Sequence, residues 1–362
     1  MTYIKPILII TGIDLIVVII WIFFMRWIYA IIYPPRKMLL IYGKYDPELL
    51  IKKISSRKDK YVICEKMHID AGTEIIMNKI DQYEAIVLGD IPSKIRNVLL
   101  KYCFEKDIRC YSVPKISDIM IRSAEDLHLF DAPLLLFRNK GLNAEQKFVK
   151  RLFDILFSSV GIVVTSPIML IIAILVKCCD HGPVLYQQIR LTQNGRTFKL
   201  FKFRSMYVDS SRKGVQLTRK NDDRITPVGK VLRNIHFDEL PQLFNILKGD
   251  MSFVGPRPEC VDVNKEYSEI IPEFTYRLKV KAGLTGFAQV FGKYNTTPYD
   301  KLKLDLTYIE NYSIWLDFKL IIMTVKILFQ KETVDGIEDW QKTAATKENL
   351  KKIGKSTENE RV

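Results

Sequence analysis

Two adjacent acids, Asp238 and Glu239, lie in a stretch of the chain that is rich in lysine and arginine. With Pro241 close behind, they would form an ordinary helix N-terminus in which the aspartate caps free backbone amides. The same pair in basic surroundings also suits phosphoryl transfer, where cations hold an anionic substrate, one acid attacks or takes a proton, and the other holds a metal ion. On these residues alone, both interpretations stay open.

Basic residues accompany the acid pair along the chain. Arg233 precedes it, and Arg257 is fixed between Pro256 and Pro258, a rigid mount that loses little entropy when the side chain grips an oxyanion. A strand-like stretch of alternating apolar and basic residues supplies further cations, Lys199, Lys202 and Arg204. Each feature alone would be a solvated face or a turn, but together they predict a phosphate-binding site.

The composition limits the classes of partner. The 362 residues include 55 Lys and Arg against 41 Asp and Glu, a formal charge of +14. Such an excess suits nucleic acid, an anionic bilayer surface or a phosphorylated substrate. We exclude nucleic acid, because the basic residues lie beside bilayer-length apolar segments and no helix-turn-helix or aromatic RNA-reading signature is present. The six cysteines and four histidines have no metal-type spacing, which predicts no zinc site and a reducing, cytoplasmic environment.

The N-terminal segment reads as a membrane anchor. Residues 6–33 are almost wholly apolar, with Asp14 and Arg26 as the only charges. The run exceeds the roughly 20 residues that a helix needs to cross hydrocarbon, and it is too long for a signal peptide and lacks a small-residue cleavage site. Basic residues at 36, 37 and 44 follow it, so the positive-inside rule places its C-terminal side in the cytoplasm. We expect a transmembrane anchor over residues 1–35.

Residues 36–140 alternate in the way that is typical of a parallel sheet covered by helices. Strand-length apolar runs lie at 38–42, 61–64, 85–88 and 108–113, with helical character at 47–55 and 92–106. Gly43 follows the first strand, where a dinucleotide-binding fold carries three glycines, and it is the only one of the three. We predict a Rossmann-like α/β domain with a degenerate nucleotide site and a structural or regulatory role.

A second bilayer-length apolar run follows a short polar linker over 138–145. This run, at 155–176, contains Ser166 and Pro167 in its middle. Proline inside a helix removes a backbone hydrogen bond and kinks or breaks the helix. The residues fit equally a kinked transmembrane span and a helix that enters one leaflet, bends and returns.

The C-terminal part reads as interfacial helices followed by a tail. Residues 299–329 carry amphipathic aromatics and an apolar run at 320–325 that is too short to span but suits a helix in the headgroup layer. A buried core helix is the alternative. The charged residues 333–362 predict a mobile tail.

Residues 150–329 resemble a known family, the bacterial sugar transferases, which are monotopic polyprenyl-phosphate phosphoglycosyl transferases. The N-terminal half resembles the Rossmann-like extension of larger members. The matching stretches occur in the family's order and read KRLFD at 150–154, FKFRSM at 201–206, DRITPVG at 223–229, LR at 232–233, DELPQL at 238–243, NILKGDMSFVGPRPE at 245–259 and GLTGFAQ at 283–289.

The resemblance implies transfer of a sugar-1-phosphate from a UDP-sugar to undecaprenyl phosphate, with release of UMP, at the start of capsule, exopolysaccharide or O-antigen assembly. It implies that Asp238 is the nucleophile, forming a phosphosugar intermediate, and that Glu239 binds Mg²⁺. The implied substrate-binding residues are Lys202, Arg204, Arg233, Pro256, Arg257 and Pro258.

The resemblance also implies an architecture and a location. An α-rich catalytic domain over 146–332 would face the cytoplasm at the bacterial inner membrane, anchored by a re-entrant helix at about 151–178 that Ser166 and Pro167 interrupt. The Rossmann-like half could pair two chains as a homodimer. Three positions depart from the family's pattern: Thr192 replaces a glycine, Phe237 a leucine and Ala282 a proline.

Two other functions stay open at the level of sequence. One is a non-catalytic membrane scaffold or regulator whose basic domain docks partners. The other is a transferase in which Glu239 acts only as a general base, without a covalent step. No residue indicates which UDP-sugar is used.

Overall fold

The computed structural model describes residues 4–43, 47–129, 132–137, 141–208, 222–292 and 296–328. Its contacts divide the chain into two compact units, Met1–Pro114 and Lys115–Val362. Residues 138–140 of the predicted linker at 138–145, and the whole of the predicted tail at 333–362, lie outside the described residues.

The first unit begins with a long apolar helix, α1 (Ile4–Ile32). Its segment Ile9–Ile32 has a mean hydropathy of 2.5 and none of it is buried against protein. At 1.5 Å per residue this segment is about 36 Å long, which exceeds the ~30 Å hydrocarbon core of a bilayer. By length and composition, α1 therefore fits the predicted anchor.

A four-stranded parallel sheet follows α1, as the alternating pattern predicts. Its strands are β1 (Arg36–Tyr42), β2 (Tyr61–His68), β3 (Ala85–Leu88) and β4 (Arg109–Ser112), in the order β2-β1-β3-β4. The helices between them are α2 (Glu48–Ser55), α3 (Thr73–Ile80) and α4 (Ser93–Glu105). The prediction missed α3, whose Ile76 and Ile80 are buried beneath the sheet with Leu39 and Ile86.

The second unit begins earlier than the predicted boundary at residue 140. Its first helix, α5 (Ile116–Arg122), buries Ile116 and Ile119 in one core with Phe274, Leu302 and Leu306. The local pattern of α5 does not reveal this partner, because the core residues lie far along the chain. An antiparallel hairpin, β5 (Glu125–Leu129) and β6 (Ala132–Leu136), comes next.

A single helix, α6 (Ala144–Asp180), contains both Ser166 and Pro167. The predicted interruption is therefore not a break in the helix. Pro167 has no N–H to give to the carbonyl of Val163, and the Ser166 hydroxyl donates to that carbonyl instead, at 2.8 Å. One face of α6 is buried at helical spacing, through Asp154, Ser158, Met169, Ile172 and Val176, while most of the apolar residues on the other face are exposed.

The remaining elements of the second unit pack around α6 and the core described above. They are β7 (Leu185–Leu191), β8 (Thr197–Phe203), α7 (Pro227–Asn234), α8 (Gln242–Lys248), β9 (Met251–Val254), α9 (Val261–Ile270), β10 (Ala282–Thr285), α10 (Phe287–Phe291), α11 (Pro298–Glu310) and α12 (Ile314–Leu328). Strands β7 and β8 pair antiparallel, and β9 pairs parallel with β10.

Helix α12 has features of both predicted alternatives. Leu320 is fully buried in the core, whereas Trp315 and Ile322 are 80% and 69% exposed. An apolar side chain on the exposed face is what a helix in the headgroup layer requires. One face of α12 therefore belongs to the core, and the other is free for a membrane surface.

Candidate active site

The acid pair lies in a short 3-10 turn, Phe237–Glu239, just before α8. His236 precedes the turn with a left-handed backbone (φ 58°) and accepts a hydrogen bond from the Glu239 amide at 3.2 Å. Helix α8 starts only after Pro241, and no side chain caps it. The helix-capping interpretation is therefore wrong, and both carboxylates are available for other work.

Two cations converge on Glu239. The Lys202 ammonium, on β8, and the Arg257 guanidinium both donate to Oε1 of Glu239, at 2.6 and 3.2 Å. Burial by itself would raise the pKa of Glu239, but the charges of Lys202 and Arg257, with hydrogen bonds from both, outweigh it and hold the pKa well below its usual range. Glu239 is therefore an anion at any physiological pH.

Asp238 has a different environment. Its side chain is only 7% exposed. Burial raises the pKa of the Asp238 carboxyl, the charge of Glu239 adds to that rise, and the cations Lys202 and Arg233 oppose it. Among the described residues, no side chain is hydrogen-bonded to the Asp238 carboxylate, in contrast to its neighbour. The pair thus combines a fixed anion with a more basic carboxylate that keeps its lone pairs free.

The other predicted cations differ in their positions. Arg233, in the last turn of α7, donates from Nε to the Ser205 hydroxyl at 3.0 Å, and its charge is felt at Asp238. Arg204 is buried with its guanidinium beside Gly182, which follows α6, and it does not contact the acid pair. Arg204 is thus the one predicted substrate-binding cation that the structure does not bring to the pair.

The loop around Arg257 is held at very close range to its neighbours. Gly255 begins it, and a Cβ at this position would lie 2.4 Å from the Lys281 carbonyl oxygen. The Gly255 amide donates to the Thr285 carbonyl, and the Pro256 carbonyl accepts from the Gly283 amide. Only glycine permits this approach at 255, which brings the Pro-Arg-Pro segment against β10.

Several residues that support the loop escaped the sequence analysis. Two arginines, Arg190 and Arg277, donate to loop carbonyls, and three further side chains form ion pairs with Arg277 or with each other: Glu259, Lys301 and Asp305. Local pattern gave no signal for Arg277 or Asp305, which lie on helical segments that otherwise look polar and exposed. Glu259 was inside a motif, next to Pro258, and could have been found there.

Two of the three departures from the family's pattern form one contact. The Ala282 amide donates to the Thr192 hydroxyl at 3.2 Å, and that hydroxyl donates to the Asp250 carbonyl at 2.8 Å. A proline at 282 would have no N–H to place, and a glycine at 192 would offer no side-chain acceptor. The two changes are thus locally complementary, and the third, Phe237, packs beside the cluster that contains Met169 and Leu232.

Comparison with known proteins identifies the family. The family described as bacterial sugar transferase matches residues 145–331, just over half of the chain. The chain belongs to this family. The matched segment contains the acid pair, Lys202 and the Pro-Arg-Pro loop, and it ends close to the end of α12.

Several relatives are more than a third identical to this bacterial sugar transferase over the aligned residues. A UDP-glucose:undecaprenyl-phosphate glucose-1-phosphate transferase of Klebsiella pneumoniae is 38% identical over 289 residues, 78% of this chain and 59% of the relative. A UDP-N-acetylgalactosamine-undecaprenyl-phosphate N-acetylgalactosaminephosphotransferase of Aeromonas hydrophila is 36% identical over 301 residues, 81% of this chain and 67% of the relative. A galactosyl transferase of Streptococcus agalactiae is 38% identical over 191 residues, 49% and 42% of the two chains. The aligned part of the chain spans between 42% and 67% of the length of these three relatives.

Proposed function

We propose that this protein transfers a sugar-1-phosphate from a UDP-sugar to undecaprenyl phosphate through a covalent intermediate on Asp238. The observation that carries the proposal is the asymmetry of the acid pair. Lys202 and Arg257 hold Glu239, whereas Asp238 is buried, has a raised pKa and accepts no hydrogen bond from any side chain in the described part of the chain. The names of the relatives support the same reaction class, since they pair a UDP-sugar with undecaprenyl phosphate.

The chemistry proceeds in two displacements at one phosphorus. An Asp238 oxygen forms a bond to the phosphorus that carries the sugar, and the bond from that phosphorus to the bridging oxygen breaks, so UMP leaves with the electron pair. A phosphate oxygen of the lipid then attacks the same phosphorus and releases the carboxylate. Lys202, Arg233 and Arg257 hold the phosphate oxygens and reduce the repulsion between the carboxylate and the diphosphate.

Magnesium fits this site as an ion shared with the donor. Among the described residues no group of three or more metal-ligating side chains exists, and Glu239 is the single clamped carboxylate of the site. Mg²⁺ is commonly held by one or two carboxylates together with substrate phosphates. When bound, it would offset the charge of the diphosphate. Glu239 would hold it, exchanging part of its contact with Lys202 and Arg257.

The membrane arrangement that we propose is a re-entrant α6, which enters one leaflet, bends at Pro167 while the helix stays continuous, and returns to the same side. Near its start, Asp154 accepts hydrogen bonds from the Ser252 hydroxyl and the Phe253 amide, and near its end Val176 packs with Phe203 and Leu232. Both ends of the helix thus contact the same folded unit, whereas a crossing helix would carry its ends to opposite sides. The exposed apolar face of α6 would lie in one leaflet, which we take as the cytoplasmic leaflet of the inner membrane.

The decisive experiment traps the intermediate. Membranes containing the protein are incubated with a UDP-sugar and Mg²⁺ but without acceptor lipid, and the intact protein is analysed by mass spectrometry. We expect one added sugar-phosphate on Asp238 with stoichiometric release of UMP, and neither in Asp238→Asn. Turnover with an unmodified Asp238 would favour Glu239 as a general base, and assembly with partners without any UMP release would favour a scaffold.

The sugar is a separate question. Relatives of nearly equal identity act on glucose, N-acetylgalactosamine and galactose donors by their names, so identity alone does not choose among them. A UMP-release assay across a panel of UDP-sugars answers it directly. The proposed homodimer and the proposed regulatory role of the first unit stay predictions.

A further inference from the structure

Two arginines, the buried Arg277 and the half-buried Arg190, donate to consecutive carbonyls of the Pro-Arg-Pro loop. Nη2 of Arg277 donates to the Arg257 carbonyl at 2.9 Å, and Nη1 of Arg190 donates to the Pro258 carbonyl at 3.0 Å. The prolines fix φ at 256 and 258, and Pro258 also restricts ψ at 257, but ψ at 256 and φ at 257 are not fixed by either ring. The two arginines therefore hold what the prolines do not.

Arg277 is itself fixed on several sides. Its side chain is 2% exposed, and its guanidinium lies 2.8 Å from a carboxylate oxygen of Asp305, itself 1% exposed, and 3.3 Å from one of Glu259. Lys301 also pairs with Glu259. The guanidinium lies over the Phe274 ring, 4.9 Å from its centre. A buried guanidinium with this many partners is held in one orientation, and it therefore fixes the position of the Arg257 carbonyl to which it donates.

We propose that Arg277, supported by Asp305 and Glu259, is a positioning residue that aims Arg257 at Glu239 and at the diphosphate of the donor. The second half of this statement rests on the proposed function. Arg277 does not touch the acid pair. It acts through the backbone of residue 257, whose direction decides whether the guanidinium reaches the 3.2 Å contact with Glu239.

The role demands arginine rather than any cation. A guanidinium presents five N–H donors in a fixed planar fork, so it can serve the Arg257 carbonyl and two carboxylates at once. An ammonium is a point donor on a flexible stem and cannot hold the three acceptors in these directions. Arg277→Lys therefore keeps the charge and most of the volume, but it cannot hold the Arg257 carbonyl and the two carboxylates at the same time.

A double-mutant cycle tests the proposal in the full-length protein in membranes. UMP release, as kcat/KM for the donor, is measured for the wild type, Arg277→Lys, Arg257→Ala and the double variant. In the wild-type background we expect Arg277→Lys to lower kcat/KM about 10- to 100-fold, the scale of a misplaced contact. In the Arg257→Ala background the same substitution should change kcat/KM less than about twofold, because the side chain that Arg277 positions is absent. Equal losses in both backgrounds would overturn the proposal.

Asp317→Asn is the matched control. Asp317 pairs with Lys150 in another buried network of the same unit and makes no contact with the loop. Its effect should be the same in both backgrounds, because a general loss of stability does not depend on Arg257. If Arg277→Lys fails to fold, Arg190→Lys replaces it with the same expectation, since Arg190 grips the next carbonyl and is less buried.

A structural readout separates this inference from the proposed function. In a crystal structure of Arg277→Lys we expect the Arg257 guanidinium to leave Glu239 while the Lys202 contact stays. An unmoved Arg257 refutes the positioning role whatever the protein catalyses. A wild type that releases no UMP refutes the proposed function, and the crystal structure still decides the role of Arg277.

Discussion

Two regions of the molecule use the same structural device with different results. At the end of β1 in the first unit, a Cβ on Gly43 would lie 2.5 Å from the Asp90 carbonyl oxygen. In the second unit, a Cβ on Gly255 would lie 2.4 Å from the Lys281 carbonyl oxygen. Both glycines let backbone segments meet. Around Gly255 the approach mounts Arg257, which converges with Lys202 on a buried acid pair. Around Gly43 the approach joins the end of β1 to the backbone of Asp90.

The comparison shows that a glycine at the end of a strand indicates a close approach of two backbone segments and does not by itself indicate a ligand site. What distinguishes a chemical site is the set of charged side chains that the approach brings together. At the sheet edge formed by the end of β2, His68 and Asp70 form a local pair at 3.0 Å in which the Asp70 side chain is 84% exposed. We therefore expect transfer chemistry to depend on the second unit and not on the sheet edge, and five experiments test this expectation.

The largest effect should come from Glu239→Gln. An amide of the same shape loses the charge that Lys202 and Arg257 hold, so both cations lose their anion, and the proposed Mg²⁺ would lose its carboxylate. We expect kcat to fall roughly 100- to 1,000-fold, the scale of losing one electrostatic element of an active site. The measurement is UMP release at saturating donor. A loss below tenfold would show that the clamp on Glu239 is only structural.

The glycine pair gives the second test. Gly255→Ala and Gly43→Ala place the same methyl group against a carbonyl oxygen, so each should cost about 1 to 3 kcal/mol of stability through backbone shifts. Only Gly255→Ala should also lower kcat/KM of the folded protein, by at least about tenfold, because only that shift moves a residue of the site. Thermal unfolding and UMP release are measured on both variants. A comparable loss of activity in Gly43→Ala would contradict the division of labour.

The acid pair and its cations could be predicted from the sequence because their chemistry is encoded locally. Asp238 and Glu239 are neighbours, Arg257 is bracketed by prolines, and the alternation around Lys202 is that of a strand, so short windows contain the signal. The parallel sheet was predictable for the same reason, since its apolar runs are short and evenly spaced. The resemblance then supplied the roles.

The features that the sequence did not indicate depend on contacts between distant parts of the chain. Arg204 has the composition of a phosphate ligand, and the structure places its buried guanidinium beside Gly182. Helix α5 belongs to the second unit because Ile116 meets α11, which no local pattern records. In α6, which continues through Pro167, the Ser166 hydroxyl donates to the Val163 carbonyl that the proline leaves without an N–H donor. A proline in the sequence predicts a kink or a break and does not show this compensation.

The pH dependence sharpens the contrast inside the acid pair. Burial raises the pKa of Asp238 and the charge of Lys202 opposes the rise. If Asp238 is the nucleophile, as proposed, its reactive carboxylate form is lost by protonation as the pH falls, about tenfold per unit below that pKa. In Lys202→Met the opposing charge is gone, and the acidic limb of kcat/KM should move to higher pH. A limb that stays in place would show that another group controls it.

The same pKa makes a statement about stability. A carboxyl whose folded pKa is raised binds its proton more tightly when folded, so its contribution favours folding at low pH and is lost as the pH rises through the raised value. At neutral pH the buried Asp238 anion is therefore a cost that the site carries for its chemistry. Asp238→Asn removes that cost, and its melting temperature at neutral pH should be at or above that of the wild type.

The smallest effect should come from the same chemical change at the sheet edge. Asp70→Asn converts an acid to its amide as Asp238→Asn does, but the Asp70 side chain is 84% exposed and its only described ion pair is with His68. Exposed ion pairs contribute about 0 to 1 kcal/mol to stability. The melting temperature should therefore change by no more than a few degrees, and the donor KM by no more than roughly twofold. A fall in turnover beyond about tenfold would place the first unit inside the reaction, because a solvated carboxylate so far from any buried network can matter only by meeting a substrate or a partner.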